Sequence, residues 1–243
     1  MTVYPNFRAF KRRVKDSLVR LSMRKLGVHL GEFNHPLPLI DYLDETCTGV
    51  IHVGANLGQE YDSYRNAGLA SVVYIEPIPD VFAALKQRVS ADPRHHPVQA
   101  LCSDMAGVEV DFHVASNRGE SSSMLELGSS KEEHPDVRYV SKLRLTTTTL
   151  DNIIFNTPGI DHEKLDTLVM DVQGAEMKVI RGAERTLQQC RFVFLEITEG
   201  GFYLGDSSFE ELIAVLKTHG FALKAMGINK HHWGNAFLMR ERR

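Results

Sequence analysis

The stretch at 50–58 constrains the fold more than any other part of the sequence. Four β-favouring residues, at 50–53, run directly into a turn that reads Gly-x-Asn-x-Gly at 54–58. A helix-compatible segment follows at 59–67. A buried strand that ends in a glycine turn brings backbone N–H groups close to a ligand, because glycine leaves room for the approach. The pattern therefore predicts a strand and helix of a parallel α/β sheet, with a ligand at the turn.

A second strand, predicted at 71–75, ends in Glu76, which lies 22 residues after Gly54. This spacing places a carboxylate at the tip of the neighbouring strand, where it can accept the hydroxyl protons of a ribose. The dinucleotide spacing Gly-x-Gly-x-x-Gly fails at Asn56 and Gln59, and that spacing serves a pyrophosphate. The sequence therefore predicts an adenosine-containing cofactor that does not need a pyrophosphate site.

The composition bounds the class of protein. A chain of 243 residues with 43% hydrophobic residues can fill the core of one large α/β domain with a short extension. The net charge of -3 gives no overall basic field, so we expect no nucleic-acid partner. The cysteines, Cys47, Cys102 and Cys190, show no metal-ligand spacing and indicate reduced thiols in a cytoplasmic protein. We expect neither a membrane span nor a signal peptide, because no sufficiently long apolar run is present.

The segment 1–38 is predicted to be a basic amphipathic helix and a linker that precede the α/β domain at 39–243. Residues 6–26 carry eight lysines and arginines against one acid, Asp16. Their apolar residues recur at spacings of three and four, as on one face of a helix. The helix could pack on the domain with a solvated basic face, contact a membrane surface, form a homodimer contact or cover the active site. The sequence leaves these alternatives open.

The rest of the chain alternates between strands and helices, which predicts a parallel sheet. Further strands are expected at 98–101, 165–171, 192–197, 221–226 and 235–239, and helices from 79, at 174–189 and at 207–219. Residues 107–149 interrupt this alternation with two stretches of alternating polarity, which predict a β-hairpin insertion. A serine- and glycine-rich loop within it, at 117–137, is expected to be mobile and functional. The expected fold is α/β: a seven-stranded, mostly parallel Rossmann-like sheet with this insertion and an N-terminal helical extension.

Four stretches resemble the FkbM-type S-adenosylmethionine-dependent methyltransferases. They read His-Val-Gly-Ala-Asn-Leu-Gly at 52–58, Ile-Glu-Pro-x-Pro at 75–79, Thr-Leu-Asp at 149–151, and Met-Asp-Val-Gln-Gly-Ala-Glu at 170–176 leading to Ile-Arg-Gly-Ala at 180–183. The resemblance covers about residues 48–240. It implies the class I methyltransferase fold and O-methyl transfer to a hydroxyl of a sugar or a small metabolite. One departure is His52, since such methyltransferases usually carry an acid there.

The resemblance and the predicted strand ends together give the candidate cofactor contacts. The turn would hold the methionine part of the cofactor, Glu76 the ribose, and the residues after the third strand the adenine. His52 is either a buried strand histidine or a direct contact. The full candidate set is His52, Gly54, Asn56, Gly58, Glu76, Pro77, Ser103, Asp104, Asp171 and Gln173.

Methyl transfer to a hydroxyl needs an oriented nucleophile and a proton acceptor. Candidate catalytic residues are Asp171, Glu196 and His232. Candidate acceptor-binding residues are Ser121, Ser122, Ser123, Glu199 and Asn235. Glu176 opens the predicted fourth helix and fits a capping role equally well. A magnesium ion held by Asp171, Glu196 and Glu199 stays possible, although nothing in their spacing requires a metal.

Two other functions compete with a methyltransferase that acts on a small-molecule or glycan acceptor. A nicotinamide-dependent oxidoreductase is disfavoured by the missing third glycine of the dinucleotide turn. A noncatalytic module could keep the fold and bind a partner through its basic helix. Retention of Glu76, Asp104 and Asp171 argues against loss of the cofactor site.

Overall fold

The computed structural model describes residues 29–31 and 34–241. The basic helix expected at 6–26 lies outside these residues. The strands are β1 (His29–Leu30), β2 (Gly49–Val53), β3 (Ser71–Ile75), β4 (His95–Val98), β5 (Leu101–Cys102), β6 (Glu109–Ala115), β7 (Tyr139–Thr148), β8 (Thr167–Met170), β9 (Phe192–Thr198), β10 (Phe221–Ile228) and β11 (Trp233–Arg240). The α-helices are α1 (Leu37–Tyr42), α2 (Tyr61–Asn66), α3 (Pro79–Val89), α4 (Ser130–Glu133), α5 (Leu150–Asn156), α6 (Glu176–Arg181), α7 (Glu184–Gln189) and α8 (Phe209–Thr218).

The main sheet confirms the expected mixed α/β architecture. Its strand order in the described part of the chain is β1-β10-β11-β9-β8-β2-β3-β4. Strands β2, β3, β4, β8 and β9 run parallel, and β11 runs antiparallel to both β9 and β10. Six of the seven expected strands are present near their predicted positions, the third is displaced to β4, and the segment predicted as a linker adds β1 beside β10. From β2 the chain moves outward through β3 and β4, then returns to the other side of β2 at β8.

The central strands are buried on both faces, which is why they read as continuous apolar runs rather than as alternating ones. In β2 and β3 every residue is buried. Ile51 and Leu195 belong to one core cluster, whereas Val50 and Phe194 belong to the cluster on the opposite face. This alternation is the two-residue period of a strand, and it places core on both sides of the sheet.

The insertion is the expected β-hairpin. Strands β6 and β7 pair antiparallel from Glu109 opposite Thr146 to Ala115 opposite Tyr139. The short strand β5 joins them through a parallel pairing of Leu101 with Thr147. The insertion is thus a three-stranded sheet of its own, next to the carboxyl end of the main sheet.

The strand predicted at 98–101 was wrong. The third parallel strand is β4, and Pro97 lies within it, opposite Tyr74. Because β4 is at the edge of the sheet, the missing N–H of Pro97 leaves no ladder bond unmade. Leu101 and Cys102 pair with the insertion instead, so the chain leaves the main sheet earlier than its apolar pattern suggested.

The single helix predicted at 174–189 is two helices, α6 and α7, which meet at Gly182 and Ala183. A Cβ on Gly182 would lie 2.1 Å from the carbonyl oxygen of Ser103, so only glycine permits this close packing. Asp151 caps the second helix, because its carboxylate accepts the backbone N–H groups of Arg185 (2.9 Å) and Thr186 (2.8 Å). The acid of the Thr-Leu-Asp stretch therefore has a structural role.

Helix starts agree well with the sequence. Pro79 occupies the first turn of α3, and Ser208 forms a capping box with Glu211 at the start of α8. None of the described helices combines the length and apolar character that a bilayer crossing requires.

Candidate active site

A cavity opens at the carboxyl ends of the parallel strands, beside the point where the chain returns from β4 to β8. Gly54, Glu76 and Asp171 line it, and each directly follows one of the strands β2, β3 and β8. Ligands of open α/β sheets bind at such a point, because neighbouring strands connect in opposite directions there and leave a crevice. The sheet topology thus brings together residues that are far apart in the sequence.

The glycine turn forms the floor of the cavity. Gly54 adopts a φ of 81°, and a Cβ at this position would lie 1.8 Å from the carbonyl oxygen of Asp171. Only glycine fits both the left-handed backbone and this close approach. The N–H groups of Gly54 and Ala55 both bond to Ile75 O at 3.0 Å, which fixes the turn against β3. Gly58 does not line the cavity; it packs against Leu85 of α3.

Glu76 is buried, at 4% exposure, in the wall of the cavity. Its Oε2 accepts the backbone N–H of Asn56 at 3.0 Å, and its Oε1 accepts that of Ile78 at 2.8 Å. Burial raises the pKa of Glu76 to about 7, although these two bonds pull it down. The carboxylate is held rigidly between the glycine turn and α3, and its remaining lone pairs suit the hydroxyls of a ribose.

An apolar wall faces the next part of the cavity. Leu101, Cys102 and Phe112 line it together with Ile78, and Pro77 lies beside them. A flat heteroaromatic ring such as adenine fits a wall of this chemistry.

Two predicted adenine contacts, Ser103 and Asp104, do not line this cavity. The Ser103 hydroxyl donates to Asp104 Oδ1 at 2.8 Å, and Asp104 lies 3.9 Å from Lys178 Nζ. The chain turns away after Cys102, because β5 pairs with the insertion and not with the main sheet. The two residues before them, Leu101 and Cys102, line the cavity, and the adenine contacts of Ser103 and Asp104 stay predictions.

The insertion closes the cavity on the remaining side. Gly119, Glu120, Ser122 and Met124 line it. The side-chain amide of Asn56 donates to Arg118 O at 3.3 Å, which ties the glycine turn to the insertion. The segment predicted as an acceptor-binding loop therefore forms a wall of the cofactor cavity.

The three consecutive serines hold this wall together. Ser121 Oγ accepts from the Asn117 amide at 2.9 Å, and Ser122 Oγ accepts from Ala115 N at 2.9 Å. Ser123 is fully buried, and its hydroxyl donates to Gln173 O at 2.7 Å. These bonds give the three hydroxyls a structural role in the wall, and their contacts with an acceptor stay a prediction.

A pair of carboxyl groups lies at the end of β8 and within β9. The side-chain amide nitrogen of Gln173 donates to Asp171 Oδ1 and to Glu196 Oε2, each at 2.6 Å. The Tyr203 hydroxyl donates to the amide oxygen of Gln173 at 2.5 Å. Gln173 itself adopts a left-handed φ of 54°. The amide therefore bridges the two acids in one fixed orientation.

The two acids share a strongly perturbed titration. Burial, followed by the negative charges of Asp171 and Glu176, raises the pKa of Glu196 well above its ordinary value. Burial also raises the pKa of Asp171, and the bond from Gln173 opposes this shift. The side chain of Asp171 is accessible to solvent through the cavity. Its other sides are surrounded by protein, and this surrounding raises its pKa. Two adjacent carboxyls cannot both ionise easily, so Glu196 keeps its proton more strongly and Asp171 is the readier anion.

Glu176 supports the turn that carries these groups. It is buried, and its Oε1 accepts the N–H groups of Val172 and Gly174, both at 3.3 Å. Burial raises the pKa of Glu176 to about 7. A Cβ on Gly174 would lie 2.8 Å from the Tyr203 ring, so this glycine admits the tyrosine next to Gln173.

The remaining predicted residues lie outside the cavity lining. His232 Nδ1 lies 3.0 Å from Glu199 Oε2, and Asn235 pairs with Glu196 between β11 and β9. Their roles toward an acceptor stay predictions. Within the described ranges, no group of three or more histidine, cysteine, aspartate or glutamate side chains is arranged to hold a metal ion.

Sequence reasoning missed Glu60, Glu120 and Tyr203. Glu60 and Glu120 line the cavity. The sequence signal for this was weak: Glu60 lies shortly after the glycine turn, and Glu120 lies within the insertion hairpin. Tyr203 is placed by Asp206, whose carboxylate accepts three N–H groups of the preceding loop, at Gly201, Phe202 and Tyr203. The three glycines at 200, 201 and 205 were a signal of such a tight loop.

The cavity fits S-adenosylmethionine. It combines a glycine turn that a Cβ would block, a buried acid at the second strand tip and an apolar wall beside it. These are the surfaces that a methionine chain, a ribose and an adenine require.

Comparison with known proteins agrees with this geometry. A curated relative, the 2-O-methyltransferase NoeI of Sinorhizobium fredii, is 26% identical over 187 residues, which are 73% of this chain and 74% of that protein. The crystal structure of methyltransferase FkbM from Methylobacillus flagellatus superposes with a TM-score of 0.50 at 13% identity, over 79% of this chain and 43% of that one. This chain thus spans less than half of that larger protein. The family model of the methyltransferase FkbM domain matches residues 52–223. The chain therefore belongs to the FkbM methyltransferase family and is an S-adenosylmethionine-dependent methyltransferase.

Proposed function

We propose that the protein transfers a methyl group from S-adenosylmethionine to a hydroxyl group of a sugar, a glycan or a small hydroxylated metabolite. The observation that carries this proposal is the carboxyl pair of Asp171 and Glu196, bridged by the Gln173 amide. Asp171 borders the cofactor cavity, and Glu196 lies directly behind it.

The acceptor atom decides what the protein must supply. S-adenosylmethionine supplies a methyl group on a sulfonium, which is a good leaving group. A sugar hydroxyl has a high pKa, so its proton must leave as the new bond forms, and a positioned base accelerates that step. Asp171 is the group that can take the proton on its carboxylate. Glu196, which holds its own proton more strongly, hydrogen-bonds with Asp171 and fixes it.

The Gln173 amide gives the pair its orientation. Both of its N–H bonds go to carboxylate oxygens, and Tyr203 fixes which end of the amide faces them. An amine acceptor that is neutral at the moment of attack would not need an anionic base in this place. The geometry therefore favours a hydroxyl acceptor.

The relative from Sinorhizobium fredii supports the same class of reaction, because its name describes a 2-O-methyltransferase. Because the two sequences are 26% identical, the relative does not tell us which compound this protein methylates. Family membership also favours methyl transfer over the nicotinamide-dependent oxidoreductase that the sequence left as an alternative.

The test is a methyl-transfer screen. The protein is incubated with S-adenosylmethionine and a panel of monosaccharides, oligosaccharides and phenolic and amine controls, and products are read by mass. We expect a gain of one methylene on a sugar or another hydroxylated compound. Methylation of amines alone would overturn the proposal.

Asp171→Asn separates folding from chemistry in the same screen, because it keeps the shape and removes the charge. It should fold normally and lose at least about 100-fold in transfer, the lower end of what a positioned base contributes. The matched control is Asp161→Asn, since Asp161 is exposed, forms an ion pair with Lys164 and does not line the cavity. Wild-type turnover in Asp171→Asn would move the role of base to another group.

A further inference from the structure

One end of the cofactor cavity is acidic, and sequence reasoning did not assign the residue that makes it so. Glu60 lines the cavity next to His52, and its Oε2 lies 3.8 Å from His52 Nδ1. Its side chain is 29% exposed, so it faces the cavity and not the core. Leu101 of the apolar wall follows β4, which lies two strands away from β2 in the sheet.

We propose that Glu60 binds the α-ammonium group of the methionine chain of S-adenosylmethionine. The inference rests on the cofactor lying in this cavity with its adenine on the apolar wall. The methionine chain then extends toward the acidic end, and its ammonium group is the cation that this end accommodates.

The other acids of the cavity have different positions and partners. Among the described residues, the carboxylates that line the cavity are Glu60, Glu76, Glu120 and Asp171. Glu76 accepts two backbone N–H groups at the tip of β3, and Glu120 lies on the insertion, whose segment at Arg118 is bonded to Asn56. Asp171 is bonded to Gln173 and paired with Glu196. Glu60 has neither the two backbone partners of Glu76 nor the Gln173 bond of Asp171.

Glu60 and Asp171 also face each other closely enough to interact. The negative charge of Glu60 raises the pKa of Asp171, because two carboxylates that line the same cavity repel each other. A cation between them would relieve this repulsion and would make charge-assisted hydrogen bonds, which are stronger than neutral ones.

His52 completes this end of the cavity. Its Nδ1 lies 3.2 Å from the Tyr64 hydroxyl, so the ring is held against α2 and beside Glu60. The carboxylate at this end of the cavity therefore comes from Glu60, and the strand position beside it is a histidine.

The experiment uses two ligands that differ only in the methionine chain. S-adenosylhomocysteine carries the ammonium group, whereas 5′-methylthioadenosine lacks the whole amino-acid part. Calorimetry measures both on the wild type, on Glu60→Gln, on Asp171→Asn and on the matched control Asp62→Asn. Asp62 lies in the first turn of α2, two positions after Glu60, and its side chain is 60% exposed.

We expect Glu60→Gln to weaken S-adenosylhomocysteine about 10- to 100-fold, the range for a lost hydrogen bond to a charged group, and to leave 5′-methylthioadenosine unchanged. Asp62→Asn should change neither affinity. Retained binding of 5′-methylthioadenosine also shows that the variant is folded.

Four outcomes would overturn the proposal, and they can be told apart. Equal weakening of both ligands would give Glu60 a role in the fold or at the adenosine, and unchanged affinities would place the ammonium elsewhere. A loss in Asp171→Asn alone would assign the ammonium to Asp171. If the wild type bound neither ligand, the cofactor assignment itself would fail, independently of Glu60.

Discussion

The Gln173 bridge can be broken while the shape of the turn is kept. Methionine matches glutamine in length and lacks its amide, so Gln173→Met removes the N–H bonds to Asp171 and Glu196 together with the acceptor for Tyr203. A hydrogen bond to a charged group contributes about 1.5–3 kcal/mol. Because these two bonds are made to carboxylates at 2.6 Å, each falls in that class.

The direction in which the two pKa values change follows from the bonds that are lost. The Gln173 amide stabilises the charged forms of both acids, so the substitution raises the pKa of Asp171 and of Glu196 further. At a fixed pH near neutrality, a smaller fraction of Asp171 is then ionised. A loss of about 1.5–3 kcal/mol at the base corresponds to a fall of about 10- to 100-fold in methyl transfer.

The assay does not depend on knowing the acceptor. Carbon-13 NMR of the side-chain carboxyls follows both titrations, and Asp171→Asn and Glu196→Gln assign the signals. The matched control is Gln189→Met, which removes an amide that bonds His162 O on another part of the fold. If both carboxyls titrated in Gln173→Met as they do in the wild type, the bridge would not set their charge, and the reasoning would be refuted.

Three further variants test the surroundings of the bridge. Tyr203→Phe removes the bond to Gln173 and keeps the ring, so we expect a loss of about 2- to 10-fold in transfer from one neutral hydrogen bond, measured by product mass; a loss as large as in Gln173→Met would contradict a supporting role. Ser123→Ala leaves Gln173 O and Leu125 N without their buried partner and should lower the free energy of unfolding by about 1–3 kcal/mol, read by urea denaturation. Glu176 has a pKa raised from 4.5 to about 7, so the folded state keeps its proton longer than the unfolded state, and the stability it contributes below pH 4.5 is lost as the pH rises to 7. Glu176→Gln should therefore gain about 3 kcal/mol over the wild type between pH 4.5 and pH 8, at about 1.36 kcal/mol per pKa unit, and a constant difference across this range would show that Glu176 is not forced to ionise.

The local features of the site could be predicted from the sequence. The glycine turn at 54–58 and the acid at Glu76 follow from short-range rules, because a strand, a tight turn and the next strand tip lie at nearly fixed separations. Asp171 was found for the same reason, since it directly follows a fully buried strand.

The errors arose where long-range pairing decides the outcome. Pro97 looks like a strand breaker and is tolerated only because β4 is an edge strand, which the local sequence does not show. The strand was expected to continue to Leu101, whereas Leu101 and Cys102 form β5 and pair with β7. The same register brings Leu101 and Cys102 to the cavity.

The missed residues depend on loops that fold back. Tyr203 reaches Gln173 because Asp206 gathers the preceding N–H groups into a tight turn. Ser123 reaches the same residue from the insertion, 50 positions away in the sequence. No periodicity encodes such contacts, so they appear only once the chain is folded.

The most direct test of the central claim is a calorimetric titration of S-adenosylhomocysteine into the wild type, Glu76→Ala and the exposed control Glu163→Ala. The account predicts that the wild type and the control bind alike, whereas Glu76→Ala binds about 10- to 100-fold more weakly, since a charge-assisted bond to the ribose is lost. Thermal unfolding of the same samples shows whether the variant is folded. Binding by folded Glu76→Ala as tight as that of the wild type would contradict the account.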